Sequence, residues 1–100
     1  MSLLSIRATI KAEAVPDVEA SAAELFAALD RLQPDNIRYG SCRLVDGKTY
    51  LILLQVDDGT ENPLPALPEF QRFQAGLRDW ADGPPEAAPA NVIGSYRLFT

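Results

Sequence analysis

The chain contains no histidine and a single cysteine, Cys42. Without imidazole, and with no carboxylates at a recognised ligand spacing, no metal and no cofactor are expected. A lone cysteine excludes an internal disulfide. With no imidazole to draw off its proton, the thiol reads as a small buried apolar group rather than a nucleophile. The same scarcity favours a reducing compartment, so a cytoplasmic location is expected. No stretch approaches the roughly 20 apolar residues of a membrane span, and no basic start is followed by an apolar run. The expectation is a soluble chain that keeps its N-terminus and has no membrane partner. Nine basic side chains, spread singly from Arg7 to Arg97, stand against fourteen acidic ones, for a net charge of −5. Neutralising phosphates takes grouped Lys and Arg, so no nucleic-acid partner is expected either.

Hydrophobic residues make up 47% and charged residues 23% of 100 residues, an ordinary globular balance. A chain of that size buries roughly 65% of its unfolded surface and suffices for one domain, here residues 1–100.

Apolar and polar residues alternate from Leu4 to Ala12, which predicts a first strand. After a connection holding Pro16 and Asp17, Ser21-Ala22-Ala23-Glu24 reads as a capping box, with Asp17 as an alternative earlier start. The stripe Leu25, Ala28, Leu29 and Leu32 follows, with Phe26 on its flank, and Pro34 and Asp35 close the helix. A hairpin then runs from Ile37 to Val56. Asp46-Gly47 suits a two-residue type I′ turn, and counting back pairs Arg43 with Tyr50, Ser41 with Ile52, Tyr39 with Leu54 and Ile37 with Val56. Asp57 to Pro68 is a proline-rich connection. Pro68 suits the first turn of a second helix carrying Phe70, Phe73, Leu77 and Trp80 at three- and four-residue spacing and closed by Asp82-Gly83. Pro84 to Pro89 reads as a second irregular connection and Asn91 to Phe99 as the last strand.

That order, βαββαβ, is the ferredoxin-like α+β pattern: a four-stranded antiparallel sheet with both helices on one face and the first and third strands central. Tyr50-Leu51-Ile52-Leu53-Leu54 is apolar on both of its faces, and two helices cover only one side of the sheet. A second copy of the chain is expected to cover the other, giving a homodimer. The helix-covered face is predicted to hold Ile6, Ala8, Ile10, Cys42, Leu44, Leu51, Leu53, Val92, Gly94, Tyr96 and Leu98. Tyr39, Arg43, Tyr50, Ile52 and Leu54, beside Arg7, Thr9, Ser95 and Arg97, then form the dimer interface, where aromatic and Arg residues are enriched.

With this order in place, Asn36-Ile37-Arg38-Tyr39 after the first helix, the hairpin, and Pro68-Glu69-Phe70-Gln71-Arg72-Phe73 opening the second carry a resemblance. The chain resembles the antibiotic biosynthesis monooxygenase family and its dimeric α+β barrel relatives. The resemblance implies two sheets packed face to face across a two-fold axis and a cavity in each subunit between sheet and helices. Phe26, Phe70, Phe73, Leu77, Trp80 and Tyr96 would line it. It also implies a small apolar or aromatic ligand, and in some members oxygenation of aromatics without metal or flavin. Heme-degrading members ligate iron through a histidine, which this chain lacks. Many relatives also place a histidine ahead of the second helix, where this chain has Asn62-Pro63-Leu64-Pro65-Ala66-Leu67.

Each candidate side chain carries two readings. Trp80 is a core residue or a cavity wall, and the two overlap. Asn62 is a turn residue before Pro63, or an amide that holds a substrate oxygen. Tyr39 belongs to the interface or offers a phenolic proton; Tyr96, on the helix-covered face, is the better cavity tyrosine. Arg7, Arg43 and Arg97 share a face that pairs with carboxylates across an interface or grips a ligand carboxylate. Asn62, Tyr96 and Trp80 are thus the catalytic candidates. The acidic, glycine-free Glu13 to Asp17 connection argues against the acylphosphatases of this topology. The first strand lacks the stacking aromatics of an RNA-recognition domain. What remains is a cofactor-independent oxygenase, a non-catalytic small-molecule-binding or regulatory module, or an assembly partner, since fold alone does not assign function.

Overall fold

The computed structural model describes residues 2–98. Its elements are β1 (Ser2–Thr9), α1 (Val15–Leu32), β2 (Ile37–Arg43), β3 (Thr49–Val56), α2 (Pro68–Trp80) and β4 (Glu86–Asn91). The sheet order is β2-β3-β1-β4 with every neighbouring pair antiparallel, so the first and third strands are central as expected. This is the ferredoxin-like α+β fold.

α1 begins six residues ahead of the Ser21 capping box. A 3-10 turn at Ala12–Ala14 leads into it, Pro16 lies in the first turn and Asp17 adds an acidic group there. Proline has no amide to lose at that position and a carboxylate complements the helix dipole, so the earlier start wins. The helix ends on Gln33, whose left-handed backbone (φ 48°) lets its amide reach the Leu29 carbonyl.

The hairpin keeps the predicted register from Ile37↔Val56 to Arg43↔Tyr50, but its loop differs. Leu44 N–H donates to the Thr49 carbonyl across a four-residue loop, Val45 to Lys48. Only Gly47 is left-handed in it, which excludes a type I′ turn at Asp46. Asp46 instead accepts from the Lys48 and Thr49 amides and from the Thr49 hydroxyl. These bonds hold its carboxyl down at about 2, the Thr49 hydroxyl contributing most. Two extra loop residues preserve parity, so the register survives.

The face assignment of the hairpin is corrected. β1 pairs Ala8 with Tyr50, Ile6 with Ile52 and Leu4 with Leu54, so these residues share one side of the sheet with Tyr39. Tyr50 and Ile52 are buried with Ala8, Ile10, Val18, Leu25 and Phe73, while Tyr39 and Leu54 pack against that cluster. Tyr39, Tyr50, Ile52 and Leu54 therefore belong to the helix-covered core and not to a dimer interface. Leu51, Leu53 and Cys42 fall on the helix-free side and are half-buried. A strand apolar on both faces gives alternation nothing to discriminate with, and a one-residue choice moves every side chain.

The last strand is also corrected. Immediately after α2, Asp82 N–H donates to the Thr9 carbonyl and Ala81 bridges Ile10. Pairing with β1 starts there and is used up when Asn91 meets Ser2. Pro89 is tolerated because β4 is an edge strand. Residues 92–98 follow as irregular chain with Val92, Ile93, Tyr96 and Leu98 exposed. Phe99 lies outside the described residues.

Candidate functional site

Three concavities touch the residues singled out by the sequence. The interior one lies between the sheet and both helices and encloses about 30 Å³. Its walls are Ala8, Ile10 and Ile52 from the central strands, Val18 and Ala22 from α1, and Phe73 and Leu77 from α2. Two of the lining residues, Ala8 and Ala22, are small where larger apolar side chains would fill the gap. Ser41, Tyr50 and Glu19 complete the lining.

One corner of the cleft is polar. The Tyr50 hydroxyl donates to Glu19 Oε2 at 2.7 Å, and Arg43 Nη1 donates to the same oxygen at 2.6 Å. Tyr50 itself is 7% exposed, whereas the Glu19 and Arg43 side chains stand about half in solvent. The Glu19 carboxyl lies below its ordinary value, first because of the Tyr50 hydrogen bond and then because of the Arg43 charge, against some desolvation. Desolvation and the neighbouring carboxylate raise the Tyr50 phenol, and Glu19 raises Arg43. The cluster is thus a neutral phenol, a carboxylate and a guanidinium at the rim of an apolar cleft. Arg43, assigned from sequence to the dimer interface, is committed to α1 of its own chain.

The second concavity, about 270 Å³ and open, lies at the far end of α1 and includes Phe26, Ile37 and Tyr39. Phe26 and Tyr39 stack tilted with ring centroids 5.5 Å apart. Burial pushes the Tyr39 phenol up from 10.0 to about 12. The folded state keeps that proton while the unfolded chain loses it near 10, so the contribution is whole below about 10 and fades as pH rises toward 12. Wild type is expected to lose about 1–2 kcal/mol across this range after allowance for partial exposure, and Tyr39→Phe to lose correspondingly less. Urea unfolding at a series of alkaline pH values checks it, and identical pH dependence in both proteins would refute it. The third concavity, an open groove of about 620 Å³ along Gln74, Arg78 and Pro84, shares Leu77 with the cleft but encloses nothing.

The expected cavity residues therefore separate. Phe73 and Leu77 line the cleft, Phe70 and Trp80 pack against the core, and Phe26 belongs to the far concavity. Tyr96 is 82% exposed after β4, with Arg97 over its ring at 5.2 Å, and is no cavity residue. Asn62 Oδ1 accepts from the Leu64 amide at 3.0 Å, closing an Asx turn just ahead of the 3-10 turn Leu64–Ala66, the turn reading of that residue. Arg7, Arg43 and Arg97 do not converge: Arg7 is opposite Leu51 on the helix-free face, Arg43 meets Glu19, and Arg97 lies beyond β4.

Glu19 was not legible as a site residue. A helix that starts at Ser21 places it in a loop; in the helix that starts at Val15 it lies one turn before Ala22, at the edge of the buried stripe. Among the described residues no group of three or more His, Cys, Asp or Glu could hold a metal ion, and no helix is long and apolar enough to cross a membrane.

No family model matches the chain, and no curated protein does. Solved structures do match in fold. A candidate antibiotic biosynthesis monooxygenase from Nitrosomonas europaea superposes with TM-score 0.74 at 13% identity over 94% of this chain and 100% of its own. Another from Deinococcus radiodurans gives 0.70 at 15% identity over 98% of each chain. A cofactor-independent oxygenase from Streptomyces nogalater, solved as an Asn-to-Ala mutant, gives 0.68 at 20% identity over 97% of each chain. The chain shares the fold of the antibiotic biosynthesis monooxygenase structures along nearly its whole length, as its sequence pattern had implied.

Proposed function

We propose that two copies of this chain pack sheet to sheet and that each binds a small aromatic molecule in the cleft between sheet and helices, acting on it as a cofactor-independent monooxygenase. The observation that carries this reading is an apolar cleft with one polar corner, at Tyr50, in the fold of a cofactor-independent oxygenase. Pairing of copies is supported by Leu51 and Leu53, apolar on the face that no helix covers, with Cys42 beside Leu51.

For a naphthol-type substrate the chemistry balances without an added reductant. The C–H para to the ionised hydroxyl becomes a quinone carbonyl with one oxygen atom of O2. The other oxygen leaves as water with that hydrogen and the hydroxyl proton, the substrate giving up all four electrons. The protein would exclude water and hydrogen-bond the developing oxyanion.

An oxygen electrode tests this on a sample whose dimeric state is checked by light scattering. With naphthol substrates that carry hydrogen para to the hydroxyl, one O2 is expected per quinone formed, with water and not hydrogen peroxide as the co-product, slowed about tenfold or more by Tyr50→Phe with the fold retained. Monomers would sink the sheet-to-sheet pairing. Absence of turnover would sink the enzyme. A binding module is the second reading, favoured by a cleft of only about 30 Å³ with a single polar corner; saturable thermal stabilisation by a ligand without turnover would select it.

A further inference from the structure

Two donors converge on one oxygen at the mouth of the cleft. Glu19 Oε2 accepts from the buried Tyr50 phenol and from Arg43, and behind that atom the walls are apolar: Ile10, Ile52, Phe73 and Leu77. A carboxylate oxygen in that position does what the anionic oxygen of a bound molecule would do. We propose that Glu19 is an internal stand-in for a ligand, and that the Tyr50–Arg43 pair recognises the ionised oxygen of a planar aromatic whose ring enters the cleft. This rests on the cleft being the ligand site and adds the substrate class, an aromatic phenolate or carboxylate.

Four features favour the exchange. Glu19 stands at the rim of the cleft with its side chain 45% exposed, so it rotates into water without burying its charge. Its departure frees both donors, which are then left unpaired beside an apolar wall until another anion arrives. It also opens the cleft, because Glu19 forms part of the lining that now confines it to about 30 Å³. Arg43 offers a planar fork of donors suited to carboxylate or phenolate, and half of its side chain is accessible from outside.

Calorimetric titration of the full-length protein tests the assignment. The probes are naphthoate and ionised para-nitrophenolate, with naphthamide and nitrobenzene as neutral counterparts. The anions are expected to bind at least about tenfold tighter than their neutral partners. Arg43→Gln and Tyr50→Phe are expected to remove that preference. Glu19→Gln should tighten binding of the anions about tenfold, since the competing carboxylate is gone; Glu19→Ala repeats the test if the glutamine variant does not fold. A Glu19–Arg43 pair that merely holds α1 to the hairpin predicts the opposite, weaker binding as the cleft loosens. Equal binding of anions and neutral counterparts overturns the anion corner but leaves the cleft as a ligand site. No binding by any of the four probes overturns both.

Discussion

Replacing Gly76 by alanine is expected to cost about 3 kcal/mol, against a gain of up to about 1 kcal/mol for the same change in an ordinary helix interior. Gly76 lies in the middle of α2, and the Trp80 side chain folds back along the helix over it. A methyl group there would sit among Cζ2, Cζ3 and Cη2 of the indole. The ring has to leave, and with it goes its packing against the core. Because Trp80 is the sole tryptophan, its emission reports the displacement directly, shifting to the red as the indole meets water. Urea unfolding supplies the stability. A variant as stable as wild type with unchanged emission would mean that the indole does not rest on Gly76.

Leu64→Ala is expected to be comparably damaging, about 3 kcal/mol within the range of 2–5 measured for such core truncations. Leu64 is completely buried, yet it comes from the connection between β3 and α2. Pro63 and Pro65 flank it and Asn62 fixes its amide, so the backbone there has little freedom to collapse into the void. The neighbouring Pro65 is exposed, and Pro65→Ala should stay within about 0.5 kcal/mol. Equal chemical denaturation midpoints for the two variants would contradict the packing assigned to Leu64.

Leu64 also marks where the sequence stopped being readable. Strand order, the pairing of the hairpin and the stripe of α2 follow from periods of two and near four, because each such segment buries a whole face and the pattern repeats. A single leucine among prolines has no period, and only its place in the buried cluster, with its loop packed on α2, makes it a plug. The hairpin's orientation failed for a related reason. Tyr50, Ile52 and Leu54 are no more apolar than Leu51 and Leu53 in any way that alternation can weigh, and what decides is the pairing of β1 with β3. The candidate site suffered from both difficulties. The turn pairs Tyr50 with Arg43 across the hairpin but does not choose their face, and a helix start at Ser21 leaves Glu19 outside α1. Tyr96 lies in a segment with strand alternation, yet the pairing of β4 with β1 ends at Asn91 opposite Ser2, so alternation alone misplaces it.

Pro89 has a consequence for how the sheet meets other chains. β4 and β2 are its two borders, and a proline in β4 removes one amide from that row. A foreign strand cannot zip along it without a missing rung. Lateral growth is thereby confined to the β2 border, where Arg38 and Arg43 are already paired with Asp57 and Glu19 of the same chain. The sheet is fenced against its own kind along β4 and open to company only along β2.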